Sequence, residues 1–248
     1  MTVADSQRFT LPQRLVAEAV GTAMLLAAVV GSGIMGERLA GGNVAIALLA
    51  NTIATGAVLV ALILTFGSIS GAHFNPVVTL CDASQGGLSW RNVPWYVAAQ
   101  IVGAFLGVAA AHIMFEATLF SASHHARAGI AQVFSEFVAT FGLLAVIWGC
   151  ARLRPAAVPL AVAAYITAAY WFTASTSFAN PAVTLARSAT DTFAGIRPVD
   201  APAFIVAQLL GGGVATLLFR WLSPPLQDTA PSVVVPHPMS ERGPSTRR

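Results

Sequence analysis

The composition of the 248-residue chain is that of a membrane protein. Hydrophobic residues make up 56% of it and charged residues only 9%, whereas an ordinary soluble domain carries about 25% charged residues. The formal charge of +3 is not concentrated in a basic patch, which excludes a nucleic-acid-binding surface. Cys81 and Cys150 have neither CxxC nor metal-type spacing, so they predict apolar packing rather than a disulfide framework or a zinc site.

Six apolar runs are long enough to cross a hydrocarbon core of about 30 Å, which takes about 20 residues. The first run contains Glu18 and lacks a signal-peptide cleavage site, so we interpret it as a retained helix. The runs predict a membrane domain over residues 11–222, between a short tail at 1–10 and a tail at 223–248 whose Pro, Ser and charge content predicts disorder. They cover residues 11–35, 44–66, 94–115, 131–150, 155–176 and 202–222.

The arginines indicate how the chain is oriented. An even number of spans places both termini on one side of the membrane. If that side is the cytoplasm, nine arginines lie inside and four outside, in agreement with the positive-inside rule. Both tails are therefore predicted to be cytoplasmic. The four outer arginines are Arg38, Arg127, Arg187 and Arg197.

The two halves of the chain repeat the same order of elements. AEAVGT from Ala17 corresponds to SEFVAT from Ser135, and YVAAQIVG from Tyr96 corresponds to FIVAQLLG from Phe204. AHFNPVVTL in the first half likewise corresponds to SFANPAVTL in the second. Because each half has three spans, the second half enters from the opposite side. The sequence thus predicts an inverted repeat, about residues 11–115 and 131–222, with a site between the halves.

Each Asn-Pro phrase predicts a half-helix that enters the membrane without crossing it. The segment SISGAHFNPVVTLCDASQGG is too short and too glycine-rich to span, and irregular backbone at membrane depth must be buried or line a watery cavity. Asn75 and Asn180 take N-cap positions, while Pro76 and Pro181 take the first helical position. The Asn amides then remain as donors that can face a lumen, and the helix dipoles repel cations and protons. The fold class predicted is all-α, with six transmembrane helices and two re-entrant half-helices.

Several polar residues within or beside the spans need partners. Glu18 and Glu136 are the acids inside the predicted spans, where an unpaired carboxylate costs at least a few kcal/mol. Gln100 and Gln208 begin small-residue stretches and are expected to serve packing and hydrogen bonding. His73 either lines the cytoplasmic vestibule or braces the loop. His124 and His125 are expected to lie in a solvated outer loop rather than in a metal site.

These motifs together, GAHFNPVVTL, SFANPAVTLAR and the paired Glu and Ala-Gln elements, resemble the aquaporin and aquaglyceroporin (major intrinsic protein) family over about residues 11–222. The resemblance implies a homotetramer in a bacterial inner membrane, with one pore per subunit for small neutral solutes. It implies neither enzymatic activity nor a cofactor or metal. It also implies that Glu18 and Glu136 accept hydrogen bonds from loop N–H groups. The pore centre it implies consists of Asn75, Pro76, Val77, Asn180, Pro181 and Ala182.

The sequence departs from the family at the selectivity constriction. Most members carry an arginine directly after the second Asn-Pro-Ala, where this chain has Val183. The resemblance implies that Thr55 and Ser177 occupy two further constriction positions. Counting forward from the preceding proline gives Tyr170 for the fourth, whereas counting back from the Asn-Pro phrase gives Ala168. Such a mouth has no fixed charge and is expected to be wider and less polar, which fits solutes larger than water.

Two more residues bear on the pore. Arg187, assigned to the outer vestibule, lies one turn beyond Val183; it either reaches toward the vacated position, pairs with Asp191 or faces outer water. Val77 replaces the usual alanine where the half-helices abut, which is expected to alter their contact.

The phrase FTASTSFANPAVTLARSATDTFAGI is most similar to a bacterial subgroup associated with arsenic resistance, in which valine also replaces the arginine. That resemblance implies arsenite, as As(OH)3, with glycerol-like polyols and some water among the solutes. The alternatives are a general glycerol, urea and water facilitator, or a secondary transporter. The transporter is disfavoured because the predicted spans contain no Asp or Lys for ion coupling, and their two arginines, Arg14 and Arg220, lie near the predicted cytoplasmic ends.

Overall fold

The computed structural model describes residues 9–222, except for the side chain of Leu153; the two predicted tails lie almost wholly outside this range. The described residues form helices and no strand. A single 3-10 turn at Pro155–Ala157 leads into the sixth helix. The helices are α1 (Leu11–Leu39), α2 (Val44–Ser70), α3 (Pro76–Ser84), α4 (Val93–Met114), α5 (Ile130–Leu153), α6 (Val158–Phe172), α7 (Pro181–Arg187) and α8 (Ala201–Leu222).

Six of these helices are long and apolar enough to cross a membrane: α1, α2, α4, α5, α8, and α6 with its preceding turn. They correspond to the six predicted runs, so the predicted fold class is confirmed and the chain is an integral, multi-pass membrane protein. Three predicted ends differ from the structure by four residues: α1 and α2 continue past residues 35 and 66 to Leu39 and Ser70, and α6 ends early. The fifth run was expected to continue to residue 176, but α6 ends at Phe172, where the Thr173 hydroxyl donates to the Ala169 carbonyl oxygen at 2.6 Å. Residues 173–176 instead begin the second re-entrant loop.

The long helices pack in the same way in the two halves. Helix α1 packs against α4 and α2, and α5 packs against α8 and α6. Close approach depends on glycines in α4 and α8: a Cβ at Gly103 would overlap the backbone of Ala19, and one at Gly211 would overlap the backbone of Phe137. Without a hydrophobic driving force between helices in lipid, such small-residue contacts allow the dense packing that holds them together.

The half-helices α3 and α7 begin at the two Asn-Pro phrases. Asn75 Oδ1 accepts from the Val77 N–H at 2.9 Å, and Asn180 Oδ1 accepts from the Ala182 N–H at 3.0 Å. These bonds satisfy N–H groups that the start of a helix leaves without a partner. Both half-helices are far too short to span a bilayer, and they contact each other and the helices α4 and α8. Their N-terminal ends therefore meet inside the helix bundle.

Candidate permeation pathway

A narrow cavity of about 80 Å³ runs between the two halves. Its wall is formed by α1, α2, α5, α6, both re-entrant loops and both half-helices. The wall combines a track of polar groups with apolar side chains such as Leu59, Ile147 and Val162. Of the residues predicted for the site, those that line the cavity are Thr55, His73, Asn75, Tyr170, Ser177, Asn180, Val183 and Arg187.

The other four residues predicted for the pore centre are absent from the cavity wall: Pro76, Val77, Pro181 and Ala182. Val77 is 1% exposed and lies against α8, where its Cγ1 fills the space that a Cβ on Gly212 would need. Val78 lines the cavity instead. It follows Asn75 by three residues, as Val183 follows Asn180. That spacing was visible in the sequence and would have identified Val78.

The two Asn side chains tie the re-entrant loops together. Asn75 Nδ2 donates to the Ala179 carbonyl oxygen, and Asn180 Nδ2 donates to the Phe74 carbonyl oxygen, each at 2.7 Å. An amide nitrogen has two N–H groups, so this bond uses one of them. The second N–H has no protein acceptor within residues 9–222. Each Asn therefore caps a helix, links the two halves and keeps one donor at the cavity.

The Glu18 carboxylate holds the first re-entrant loop. Its oxygens accept from the backbone N–H groups of His73 at 3.0 Å and Phe74 at 2.8 Å. Ser70 Oγ donates to the same carboxylate at 2.6 Å, and Gln100 Nε2 donates at 2.8 Å. Four donors thus surround a carboxylate that is fully buried, which removes the cost of leaving it unpaired.

Glu136 does the same for the second loop. It accepts from the backbone N–H groups of Phe178 at 2.9 Å and Ala179 at 2.8 Å, and Gln208 Nε2 donates to it at 2.6 Å. In both loops the two N–H groups belong to the residues that stand two and one positions before the capping Asn. The inverted repeat is therefore preserved at the level of single hydrogen bonds.

Two threonines that were not predicted as site residues complete these networks. Gln100 Nε2 also donates to Thr79 Oγ1 at 2.8 Å, and Gln208 Nε2 to Thr184 Oγ1 at 2.9 Å. Each threonine hydroxyl donates to the carbonyl oxygen of the capping Asn four residues earlier. The Thr of the repeated phrase Asn-Pro-x-Val-Thr-Leu was the signal that could have revealed them.

His73 takes both of the positions considered for it. Its Nδ1 lies 3.1 Å from Thr79 Oγ1, which attaches the ring to α3, and its Nε2 lies 3.6 Å from Asp82 Oδ2. The same ring forms part of the cavity wall. His73 therefore braces the first loop and lines the pathway.

Three hydroxyl groups line the same cavity as Val183. Thr55 Oγ1 of α2 lies 3.2 Å from the Tyr170 hydroxyl of α6, so the two form a hydrogen bond. The Ser177 hydroxyl is buried and has no hydrogen-bond partner among the described residues. Ala168 lies on the exposed face of α6, whereas Tyr170 is 3% exposed and lines the cavity. The structure thus places Tyr170 with Thr55 and Ser177.

Arg187 points inward. Its side chain is 2% exposed, its Nε donates to the Ala194 carbonyl oxygen, and its guanidinium carbon lies 3.4 Å from the ring centroid of Phe178. The expected alternatives, an ion pair with Asp191 or exposure to outer water, are both wrong. Asp191 instead accepts from the backbone N–H and the ring of His124, each at 2.9 Å.

Arg127, predicted only as an outer arginine, also supports the second re-entrant loop. Its Nε donates to the Gly195 carbonyl oxygen at 2.8 Å, and its Nη1 donates to the Ser175 carbonyl oxygen at 3.1 Å. Its guanidinium carbon lies 5.0 Å from the Phe178 ring centroid. A single arginine in a loop carries no pattern that predicts these contacts.

An acidic residue anchors the Arg127 segment to the start of α8. Asp200 accepts from the Arg197 Nε at 2.9 Å and from the Arg127 backbone N–H at 2.8 Å. The Arg197 hydrogen bond, followed by that of the Arg127 N–H, holds the pKa of the Asp200 carboxyl below its usual range. The loop that contains Arg127 is thereby joined to the segment before α8.

Six membrane-spanning helices and two half-helices that meet at an internal cavity define a membrane channel. The sequence profile of the major intrinsic protein family matches residues 5–158 and, in a second copy, 151–243. The chain belongs to the major intrinsic protein family. It is a channel for small neutral solutes and not an enzyme.

Individual relatives agree with this assignment. The chain is 56% identical over 219 residues to Aquaglyceroporin AqpS of Rhizobium meliloti (strain 1021), covering 88% of this chain and 94% of that protein. It is 32% identical over 139 residues to Aquaporin NIP6-1 of Arabidopsis thaliana, covering 56% of this chain and 45% of that protein. The X-ray structure of the aquaglyceroporin from Plasmodium falciparum matches the fold with a TM-score of 0.67 at 21% identity, over 88% of this chain and 99% of that chain.

Proposed function

We propose that this channel passively conducts neutral hydroxylated solutes larger than water, namely arsenite as As(OH)3 and glycerol-like polyols, together with some water. One observation carries the proposal: Val183 lines the cavity at the position where most family members carry an arginine. An isopropyl group is smaller than a guanidinium group and binds no water. The pathway is therefore wider and less polar at this point, which favours solutes of glycerol size.

The hydroxyl groups that line the same cavity as Val183 suit such solutes. The Ser177 Oγ has no protein partner within residues 9–222, and the Thr55 and Tyr170 hydroxyls are bonded to each other across the wall. A solute that carries several hydroxyl groups can donate to these oxygens and accept from them, while its remaining surface contacts the apolar wall. As(OH)3 and glycerol share the three-hydroxyl arrangement and similar size, so one constriction serves both.

The pore centre supports neutral rather than charged cargo. The half-helices α3 and α7 point their N-terminal ends, each equivalent to about half a positive charge, at the region of Asn75 and Asn180. The free amide N–H groups of the two Asn residues add donors at the same level. In this interpretation the donors orient a hydroxylated solute, and the positive ends of the helices oppose the passage of cations and protons.

The cellular setting belongs to the same proposal. The resemblance to bacterial family members and the excess of inner arginines support a bacterial inner membrane with both termini in the cytoplasm. The family resemblance also supports a homotetramer with one pathway in each subunit. Flux follows the solute gradient, so arsenite produced inside the cell would leave through this channel.

The experiment that tests the function is permeation into proteoliposomes. We expect wild-type protein to accelerate the entry of As(OH)3 and of glycerol above that of empty liposomes. Val183→Arg narrows the constriction and adds a strongly hydrated charge there, so it should reduce glycerol and As(OH)3 permeation about tenfold or more while reducing water permeation less. Stopped-flow light scattering measures the three fluxes separately.

Two control variants separate size, charge and position. Val183→Leu adds bulk without charge, and Val199→Arg adds the same arginine at a residue that is 76% exposed and outside the cavity wall. Equal glycerol and water losses in Val183→Arg would show that Val183 does not set solute size. Water flux with As(OH)3 excluded would remove arsenite from the proposal. Accumulation against a gradient would instead indicate a secondary transporter.

A further inference from the structure

We propose that Arg187 is a specificity-determining residue of the pathway: it supplies the fixed positive charge and the guanidinium donors of the outer constriction from a position one helical turn beyond Val183. The inference rests on the proposed function, because it assigns the exclusion of protons and cations in the same pore. In this channel two residues share what one arginine does in most family members. Val183 sets the width of the constriction, and Arg187 sets its charge.

The first support is the placement of the side chain. Residues 183 and 187 lie nearly on one face of a helix, and helical side chains lean toward the N-terminus of their helix. Arg187 accordingly turns back toward the pore and lines the same cavity as Val183, Tyr170 and Ser177. At 2% exposure it is among the largest fully buried side chains of the described residues.

The second support is how the guanidinium group is held. Its Nε donates to the Ala194 carbonyl oxygen, and its central carbon lies over the Phe178 ring. Phe178 is itself fixed, because its backbone N–H donates to Glu136. These contacts use one of the five guanidinium N–H groups. Within residues 9–222 neither terminal nitrogen has a protein acceptor, so both remain available to a solute in the cavity.

The third support is that Arg187 forms no ion pair within residues 9–222, although the Glu136 carboxylate, which is bound by Phe178, Ala179 and Gln208, acts on it from a greater distance. No acidic side chain among the described residues forms an ion pair with Arg187, and Asp191, which could have done so, binds His124. A second cation, Arg127, approaches the same Phe178 ring. An unpaired cation in a buried, weakly screened setting repels other cations more strongly than the same charge in water. The outer end of the pathway is therefore positive even though the family arginine is missing.

The decisive comparison is between Arg187→Gln and Arg187→Lys in proteoliposomes. Both shorten and simplify the side chain, but Gln removes the charge while Lys keeps it. A potassium diffusion potential drives protons into the liposomes, and an internal pH dye follows their entry. Arg187→Gln should raise the proton permeability about tenfold or more, because it removes one unit charge near the path. Arg187→Lys should stay within about threefold of wild type.

A matched control and a rescue variant complete the design. Arg38 lies at the same end of the bundle, donates to the Phe115 carbonyl oxygen at 2.7 Å and stacks over the Phe115 ring, but it does not line the cavity. Arg38→Gln should therefore leave proton permeability unchanged. The double variant Val183→Arg/Arg187→Gln should regain proton exclusion, because it returns a cation to the pathway one turn earlier.

The outcomes are distinct from those that test the solute proposal. A proton permeability of Arg187→Gln equal to that of wild type, in protein that elutes as a monodisperse peak, would overturn the role of Arg187 while leaving glycerol and As(OH)3 flux untouched. An equal leak in the Gln and Lys variants would also overturn it, since the charge would then be irrelevant. Failure of wild-type protein to conduct solutes would overturn the solute proposal alone.

Discussion

At the scale of single residues, the same hydrogen-bond network occurs once in each half of the molecule. A buried Glu binds two consecutive backbone N–H groups of a re-entrant loop, and a Gln from α4 or α8 donates to that Glu and to a Thr of the half-helix. In both networks the Gln nitrogen is the donor. Each network therefore needs a side chain at the Glu position that accepts hydrogen bonds and donates none, which a carboxylate provides. Glu18 and Glu136 therefore hold the two re-entrant loops through these hydrogen bonds.

Glu136→Gln should destabilise the protein. The new amide has one acceptor oxygen for the three donors Phe178 N–H, Ala179 N–H and Gln208 Nε2. Its NH2 group is itself a donor, so at least one of the three loses its acceptor. The expected cost is about 3 kcal/mol, which corresponds to a fall in Tm of about 5 to 10 °C. Thermal unfolding in detergent measures it.

Glu116→Gln is the matched control, since Glu116 lies exposed in the loop after α4. Its Tm should change by about 1 °C or less. If Glu136→Gln unfolded at the same temperature as this control, the carboxylate would not be what holds the second loop.

At the scale of helices, glycine positions decide how closely the two halves assemble. The hydrophobic pattern of α8 does not distinguish Gly211, Gly212 and Gly213, because all three are small and adjacent in sequence. Their surroundings differ completely. Gly211 faces the backbone of α5 at Phe137, Gly212 faces the Val77 side chain, and Gly213 faces open space, with no heavy atom within 4 Å of where a methyl group would stand.

Gly211→Ala should therefore destabilise the contact between α5 and α8, whereas Gly213→Ala should not. A Cβ at Gly211 overlaps backbone atoms that cannot rotate away, and such overpacking costs about 1 to 3 kcal/mol. Thermal unfolding of the two variants in the same detergent gives the comparison. Equal Tm values would show that α8 can shift outward without loss, and that the glycine contact is not required.

At the scale of the whole molecule, the distribution of arginines predicts the orientation of the helix bundle in the membrane. The ends of α1, α4 and α7 and the starts of α2, α5 and α8 lie at one end of the bundle with the loop around Arg127. The connection between α5 and α6 lies at the other end with Arg152 and Arg154. The positive-inside rule assigns the second end to the cytoplasm.

Single-cysteine labelling tests this orientation. Ala126 in the loop before α5 and Ala156 in the connection between α5 and α6 are both exposed. In a background with Cys81 and Cys150 replaced by Ala, a membrane-impermeant maleimide applied to intact cells should label Ala126→Cys and not Ala156→Cys. Permeabilised cells should give labelling of both. Labelling of Ala156→Cys alone in intact cells would show that the protein has the opposite orientation.

The sequence by itself determined the number of spanning helices, the inverted repeat, the half-helices at Asn75 and Asn180 and the need of Glu18 and Glu136 for partners. These features follow from local signals, because a bilayer imposes the same length and the same backbone hydrogen-bonding demand on every segment. The end of α6 was misplaced, since the small residues after Phe172, Thr-Ala-Ser-Thr, begin the re-entrant loop instead of extending the helix.

Only the tertiary structure decided which side chains form the pathway. The bonds between each Asn amide and the opposite loop join residues more than a hundred positions apart. The inward turn of Arg187 depends on where Phe178 and Ala194 lie, and the burial of Val77 against Gly212 depends on how α3 meets α8. The physical reason is common to all three. Helix rotation and loop placement are set by the packing of distant segments, and no periodicity within a single segment encodes them.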